Sequence, residues 1–189
     1  MGTVKSLLLG MCFVLGACTS QTSTVQTTEK GTQWEWQNGT IVVKTPERPE
    51  GQKSVLGLTT PKLEAVRVGF VGLGMRGPGA VERFTYIPGT QVVALCDYEE
   101  ARADKCQELL KKASMPKAAV YSGDKGYEEL CKRDDIDLVY VAADWLHHFP
   151  VAKCALENGK NVAIEVPSAM NLQECWDLIN LSESTRKHC

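Results

Sequence analysis

From Val66 onward, short apolar runs alternate with stretches in which apolar positions recur every three or four residues. Residues 66–71, 91–96, 118–121, 138–142 and 162–164 are rich in valine and alanine and have the length of buried strands. Between them, residues 79–84 read as helix, and residues 99–113 carry Ala103, Cys106, Leu109, Leu110 and Ala113 at helical spacing. Residues 125–132 form a shorter helix with Tyr127 and Leu130, and residues 149–158 another that Gly159 ends. Asn171-Leu172-Gln173-Glu174 has the form of a capping box and opens a last helix reaching about Lys187. Strands alternating with helices predict an α/β fold with a doubly wound parallel sheet, because parallel neighbours need helical crossovers. The domain begins near Glu64, and its roughly 125 residues suffice for one core that buries about two thirds of the unfolded chain's surface. There is no internal repeat.

The chain before Glu64 follows different rules. Residues 1–17 read as a secretory signal: Lys5 supplies the charge, and residues 6–16 form an apolar run too short to span a bilayer. The run Leu15-Gly16-Ala17-Cys18 resembles a bacterial lipobox, in which cleavage leaves Cys18 as the acylated first residue. That predicts an exported protein held to the membrane by lipid, in the periplasm or at the outer membrane of a bacterial envelope. The alternative is plain cleavage after Ala17 and a soluble secreted product. Residues 19–63 read as a tether or strap: a Ser/Thr/Gln-rich spacer to Gly31, then a segment with Trp34, Trp36 and Ile41-Val42-Val43 that lies on the folded body or serves as a semi-rigid linker.

Composition narrows the classes. With 189 residues, a net charge of -2 and 43% hydrophobic positions, the chain lacks the basic excess that nucleic-acid binding requires. Of eight cysteines, Cys106, Cys131, Cys154 and Cys175 fall on expected helix faces without C-x-x-C spacing. They read as small buried hydrophobes rather than disulfides or metal ligands.

The chemistry concentrates around the first strand. Gly72-Leu73-Gly74-Met75-Arg76-Gly77 follows it directly, and the second strand ends at Asp97. Strand, G-x-G-x-x-G, helix, strand and acid together form the fingerprint of a dinucleotide-binding βαβ unit. Gly72 allows the tight turn, Gly74 lets the backbone approach a pyrophosphate, and Gly77 lets the helix pack closely, with the helix N-terminus offering N–H groups to phosphate. Asp97 can accept both ribose hydroxyls and repel a 2′-phosphate, which favours NAD over NADP. Ligands of open α/β sheets bind beyond the strands' carboxyl ends. The fourth and fifth such ends carry Asp144-Trp145-Leu146-His147-His148 and Glu165-Val166-Pro167. Trp145 can stack on a flat ring, and Glu165 can hold a ribose or carboxamide. His147 reads as opening the following helix, while for His148 a proton-relay role and a structural one both stay open.

The run from Gly72 through Gly77-Pro78-Gly79 to Phe84, with Asp97, Trp145-Leu146-His147-His148 and Glu165-Val166-Pro167, closely resembles glycoside hydrolase family 109, the glycosidase branch of the glucose-fructose oxidoreductase and inositol dehydrogenase superfamily. The likeness extends from about Ser54 to Cys189, and its Gly-Met-Arg-Gly-Pro-Gly run is specific to that branch. It implies NAD contacts from Met75, Arg76, Asp97, Trp145, Leu146, His147, His148, Glu165 and Val166. The activity implied is removal of terminal N-acetylgalactosamine from a glycan. The dehydrogenase relatives carry Glu-Lys-Pro where this chain has Glu165-Val166-Pro167, and valine cannot carry a proton. The resemblance therefore implies a redox-neutral cycle: hydride leaves the sugar's C3, the C1 group is eliminated, water adds, and the hydride returns. The family continues into an α+β sheet domain that supplies the sugar pocket. The chain is thus expected to be the cofactor part of such an enzyme, inactive alone, with its main catalytic residues beyond Cys189 and its oligomeric state open. A sugar oxidoreductase and a non-catalytic NAD-binding lipoprotein are the alternatives.

Overall fold

The computed structural model describes residues 26–27 and 33–189. The signal, Cys18 and most of the Ser/Thr/Gln-rich spacer lie outside the described residues. A small antiparallel sheet of β1 (Gln26–Thr27), β2 (Gln33–Gln37) and β3 (Thr40–Val43) precedes the main body. The main sheet has the order β6-β5-β4-β7-β8, every pair parallel: β4 (Val66–Val71), β5 (Thr90–Asp97), β6 (Ala119–Ser122), β7 (Leu138–Val141) and β8 (Asn161–Ile164). The helices between and after these strands are α1 (Gly77–Thr85), α2 (Glu100–Lys112), α3 (Gly126–Cys131), α4 (Trp145–Glu157) and α5 (Leu172–Thr185).

Both faces of the sheet are covered, which is why its strands read as nearly continuous apolar runs. Val68, Phe70, Val92 and Leu95 meet Val81 of α1 and Leu110 of α2 on one face. Val71, Ala94, Val139 and Val141 meet Leu130, Val151, Leu156 and Leu178 on the other. A bulge between these faces sets the register: Val68 pairs with Val92 but Gly69 with Ala94, so Val93 is the extra residue. Leu95 and Cys96 then return to opposite cores.

Two helix starts differ from the sequence expectation by two residues or more. Helix α1 starts at Gly77, with Pro78 in its first turn, where proline's missing N–H costs nothing. Helix α4 starts at Trp145, four residues before the expected Phe149, because the Asp144 carboxylate caps it by accepting from Leu146 N at 3.0 Å. Pro150 therefore sits inside the helix rather than opening it.

The segment read as strap or linker is a hairpin followed by an extended stretch seated on α5. Asn38 and Gly39 have φ of 50° and 78° and form the two-residue turn between β2 and β3. Further on, Arg48 donates twice to Glu183, at 2.8 and 3.0 Å, and Gln52 donates to Glu183 and Asn180. The Arg186 guanidinium returns the contact by donating to the carbonyls of Lys53 and Ser54. Among the described residues no helix is long and apolar enough to cross a membrane, and no cluster of His, Cys, Asp and Glu is placed to hold a metal.

Candidate functional site

The strand order reverses between β4 and β7, and a cleft of about 1040 Å³ opens at the carboxyl ends there. Eleven of the twelve expected cofactor contacts line it: Gly72, Gly74, Met75, Arg76, Asp97, Trp145, Leu146, His147, His148, Glu165 and Val166. Gly77 lies behind the wall. A Cβ there would stand 2.1 Å from the Gly72 carbonyl oxygen, so this glycine lets α1 start directly against the turn.

The turn is pinned on both sides. Gly72 N donates to the Cys96 carbonyl, and its φ of +89° leaves no room for a side chain, since a Cβ would lie 2.2 Å from Ala143 N. Gly74 is different. Its φ is not positive, and an added Cβ would meet only the Arg102 Nη1 at 3.5 Å, an ordinary contact. The fold itself does not require glycine at 74, and its bare backbone faces the cleft. Helix α1 begins beside it with no acid in its first turn and no side-chain cap, so its leading N–H groups remain available to an anion.

Asp97 is 6% exposed, and the protein already uses both of its oxygens. Oδ2 accepts from Leu73 N at 2.6 Å and Oδ1 from Glu99 N at 3.0 Å, with Arg102 Nη1 3.4 Å away. Asp97 thus also holds the glycine turn to the tip of β5, and its carboxylate, with about four acceptor sites, keeps capacity toward the cleft that it lines. Cys96 beside it is no nucleophile, because burial, helped by the Asp97 charge, pushes its thiol up to about 12.

The opposite wall comes from the ends of β7 and β8. His147, expected to open α4, does so in its first turn and lies half exposed, its Nδ1 2.6 Å from Asp144 Oδ2. Burial alone raises the Asp144 carboxyl, but bonds from His147 and from the backbone N–H groups of Leu146 and His147 outweigh it and hold the group below the ordinary range. His148 is 1% exposed, and its two ring nitrogens face the carbonyls of Pro167 at 2.7 Å and Ala143 at 2.9 Å. Of its two open readings the geometry favours the structural one, a clamp between the β7 and β8 ends. Glu165 accepts from the Tyr140 hydroxyl at 2.8 Å; burial and that bond raise the phenol, with Arg83 opposing. Val166 is 83% exposed and Met75 93%, both at the cleft mouth. Sequence reasoning missed Arg102 and Tyr140. Arg102 was within reach, lying five residues after the acid on the first turn of α2, whereas Tyr140 reads only as a strand residue.

A glycine turn entering an uncapped helix at the switch point, with an acid closing the turn from the next strand, defines a dinucleotide-binding α/β domain. The family described as "Oxidoreductase family, NAD-binding Rossmann fold" matches residues 66–189, and the chain belongs to it. It is 79% identical, over its full length, to glycosyl hydrolase family 109 protein 5 of Phocaeicola vulgatus and 56% identical over 98% of its length to glycosyl hydrolase family 109 protein 1 of Bacteroides thetaiotaomicron. It spans 37% and 39% of those two relatives. Among solved structures, myo-inositol dehydrogenase from Lactobacillus casei in complex with NAD(H) and myo-inositol superposes with a TM-score of 0.56 at 26% identity, covering 64% of this chain and 34% of that one. Biliverdin reductase from Synechocystis, in complex with biliverdin and NADP+, gives 0.55 at 27% identity, covering 65% of this chain and 36% of the other.

Proposed function

We propose that this chain is the NAD-binding part of a glycosidase that removes terminal N-acetylgalactosamine from glycans by a redox-neutral cycle. The observation that carries the choice of hydrolase over dehydrogenase is Val166, an aliphatic side chain exposed at the cleft mouth, where the resemblance implies a lysine in the dehydrogenase relatives. The identity to glycosyl hydrolase family 109 proteins supports the same choice. When bound, NAD supplies hydride acceptance from the sugar and its return. The chain's own residues do the holding. The α1 N-terminus and the bare Gly74 backbone receive the pyrophosphate, Asp97 fixes the turn that shapes this cradle, and Trp145 offers a flat face to a ring. A cycle that returns the hydride to the sugar calls for a cofactor retained rather than released as product.

The run Leu15-Gly16-Ala17-Cys18, which resembles a lipobox, supports the reading of an exported protein anchored through Cys18. The test is purification of the chain without residues 1–17 and with Cys18→Ser, followed by assay for copurified NAD(H) and for cleavage of an aryl N-acetylgalactosaminide. The expected result is bound dinucleotide without hydrolysis by this length of chain, and hydrolysis without net NADH once the part of the glycosyl hydrolase family 109 relatives that this chain does not span is fused after Cys189. Net NADH formation from a free sugar by the extended protein contradicts the hydrolase reading in favour of an oxidoreductase.

A further inference from the structure

Asp97 occupies the strand tip at which such folds recognise the adenosine ribose. Both of its oxygens are engaged, and the weakest contact is the one to Arg102, at 3.4 Å. Arg102 Nη1 also lies 3.5 Å from where a Gly74 Cβ would stand, so the guanidinium spans the gap between the glycine turn and the acid. Its other nitrogen, Nη2, donates to Glu99 Oε1 at 2.9 Å. Arg102 lines the cleft and is partly exposed, while Glu99 faces solvent. A guanidinium beside the ribose carboxylate is the group that accommodates a 2′-phosphate. Here it sits between two carboxylates, and the trio keeps one net negative charge.

We propose that Glu99 and Arg102 together set the cofactor selectivity of this site: Glu99 holds and neutralises an arginine that otherwise binds the phosphate of a 2′-phosphorylated dinucleotide. This rests on the reading of the cleft as a dinucleotide site. It adds to Asp97 at the strand tip a surface pair two and five residues later. The charge logic is direct. A 2′-phosphate brings one and a half to two negative charges; beside Glu99 it meets a trio of net negative charge, whereas with glutamine there it meets a pair of zero net charge and an arginine whose Nη2 is released from a carboxylate. Glu99 is the N-cap residue of α2 but makes no side-chain cap bond, so replacing it by glutamine leaves the helix start unchanged.

The test is isothermal titration of the full chain with NAD and with NADP at one fixed ionic strength, for wild type, Glu99→Gln and Glu99→Gln/Arg102→Ala. The expected outcome is wild-type preference for NAD, a fall of about tenfold in the ratio Kd(NADP)/Kd(NAD) in Glu99→Gln, and recovery of the wild-type ratio in the double variant. A ratio that does not move in Glu99→Gln, or a fall that persists without Arg102, overturns the inference while leaving the cleft a dinucleotide site. Wild-type protein that binds neither dinucleotide overturns both.

Discussion

Gly72 and Gly74 lie two residues apart in one turn and are glycine for different reasons. At Gly72 the positive φ and the backbone of Ala143 leave no space for a Cβ. Gly72→Ala is expected to cost more than about 2 kcal/mol, since strain and clash coincide there. Gly74→Ala stays within about 0.5 kcal/mol of wild type, because the site is open and φ is ordinary. Urea unfolding midpoints for the two variants check this; equal losses would mean that the turn is uniformly strained. The same scale explains what the sequence could not reveal about Asp97 and His148. Residue type identifies a carboxylate and an imidazole, but only the fold shows that Leu73 N and Glu99 N bond the one and that the carbonyls of Ala143 and Pro167 flank the other.

At the scale of elements, strands β4 to β8 and the helices between them were legible because burial on both sheet faces writes apolar runs directly into the sequence. The missed features were written in weaker signals. Asn38-Gly39 between Trp34-Glu35-Trp36 and Ile41-Val42-Val43 is a strong two-residue hairpin signal, overlooked because two polar-flanked runs of this length carry no core of their own. Helix α4 starts four residues before the expected Phe149 because the Asp144 carboxylate caps it there. The bulge at Val93 was hidden inside Val92-Val93-Ala94, where every residue is apolar and no alternation marks the slip. For α5 the expectation and the structure agree. Asn171 Oδ1 accepts from Glu174 N at 3.0 Å, and the Glu174 carboxylate reaches back to accept from Met170 N at 2.8 Å. Asn171→Ala is expected to lower stability by about 1 kcal/mol and Asn171→Asp to restore it, read by thermal or urea denaturation. An alanine variant as stable as wild type would show that packing of Leu178 alone holds the helix start.

At the scale of the whole molecule, the cleft at one end of the sheet is matched at the other by an ionic tie between β4 and the loop leading into β7. Asp137 accepts from Arg67 N and Nε, each at 2.9 Å, and from Nη2 at 2.7 Å. These bonds, against the cost of burial, hold the Asp137 carboxyl below the ordinary aspartate range. A folded-state pKa below the unfolded one stabilises the protein above the unfolded value, about 3.9, and the gain is lost as pH falls through the folded value. The stability difference between wild type and Asp137→Asn should therefore be constant near neutrality and shrink below about pH 4. A pH-independent difference would assign the loss to packing. Glu183, held low by Arg48 and Gln52, contributes with the same sign. The account's central claim is that the glycine turn is a pyrophosphate cradle, and titration of the full chain with NAD, wild type beside Gly74→Ala, tests it most directly. Saturable one-to-one binding, weakened at least about tenfold by a substitution that leaves the unfolding midpoint in place, is the predicted result. Equal affinity in both proteins, or no binding to the wild type, would contradict it.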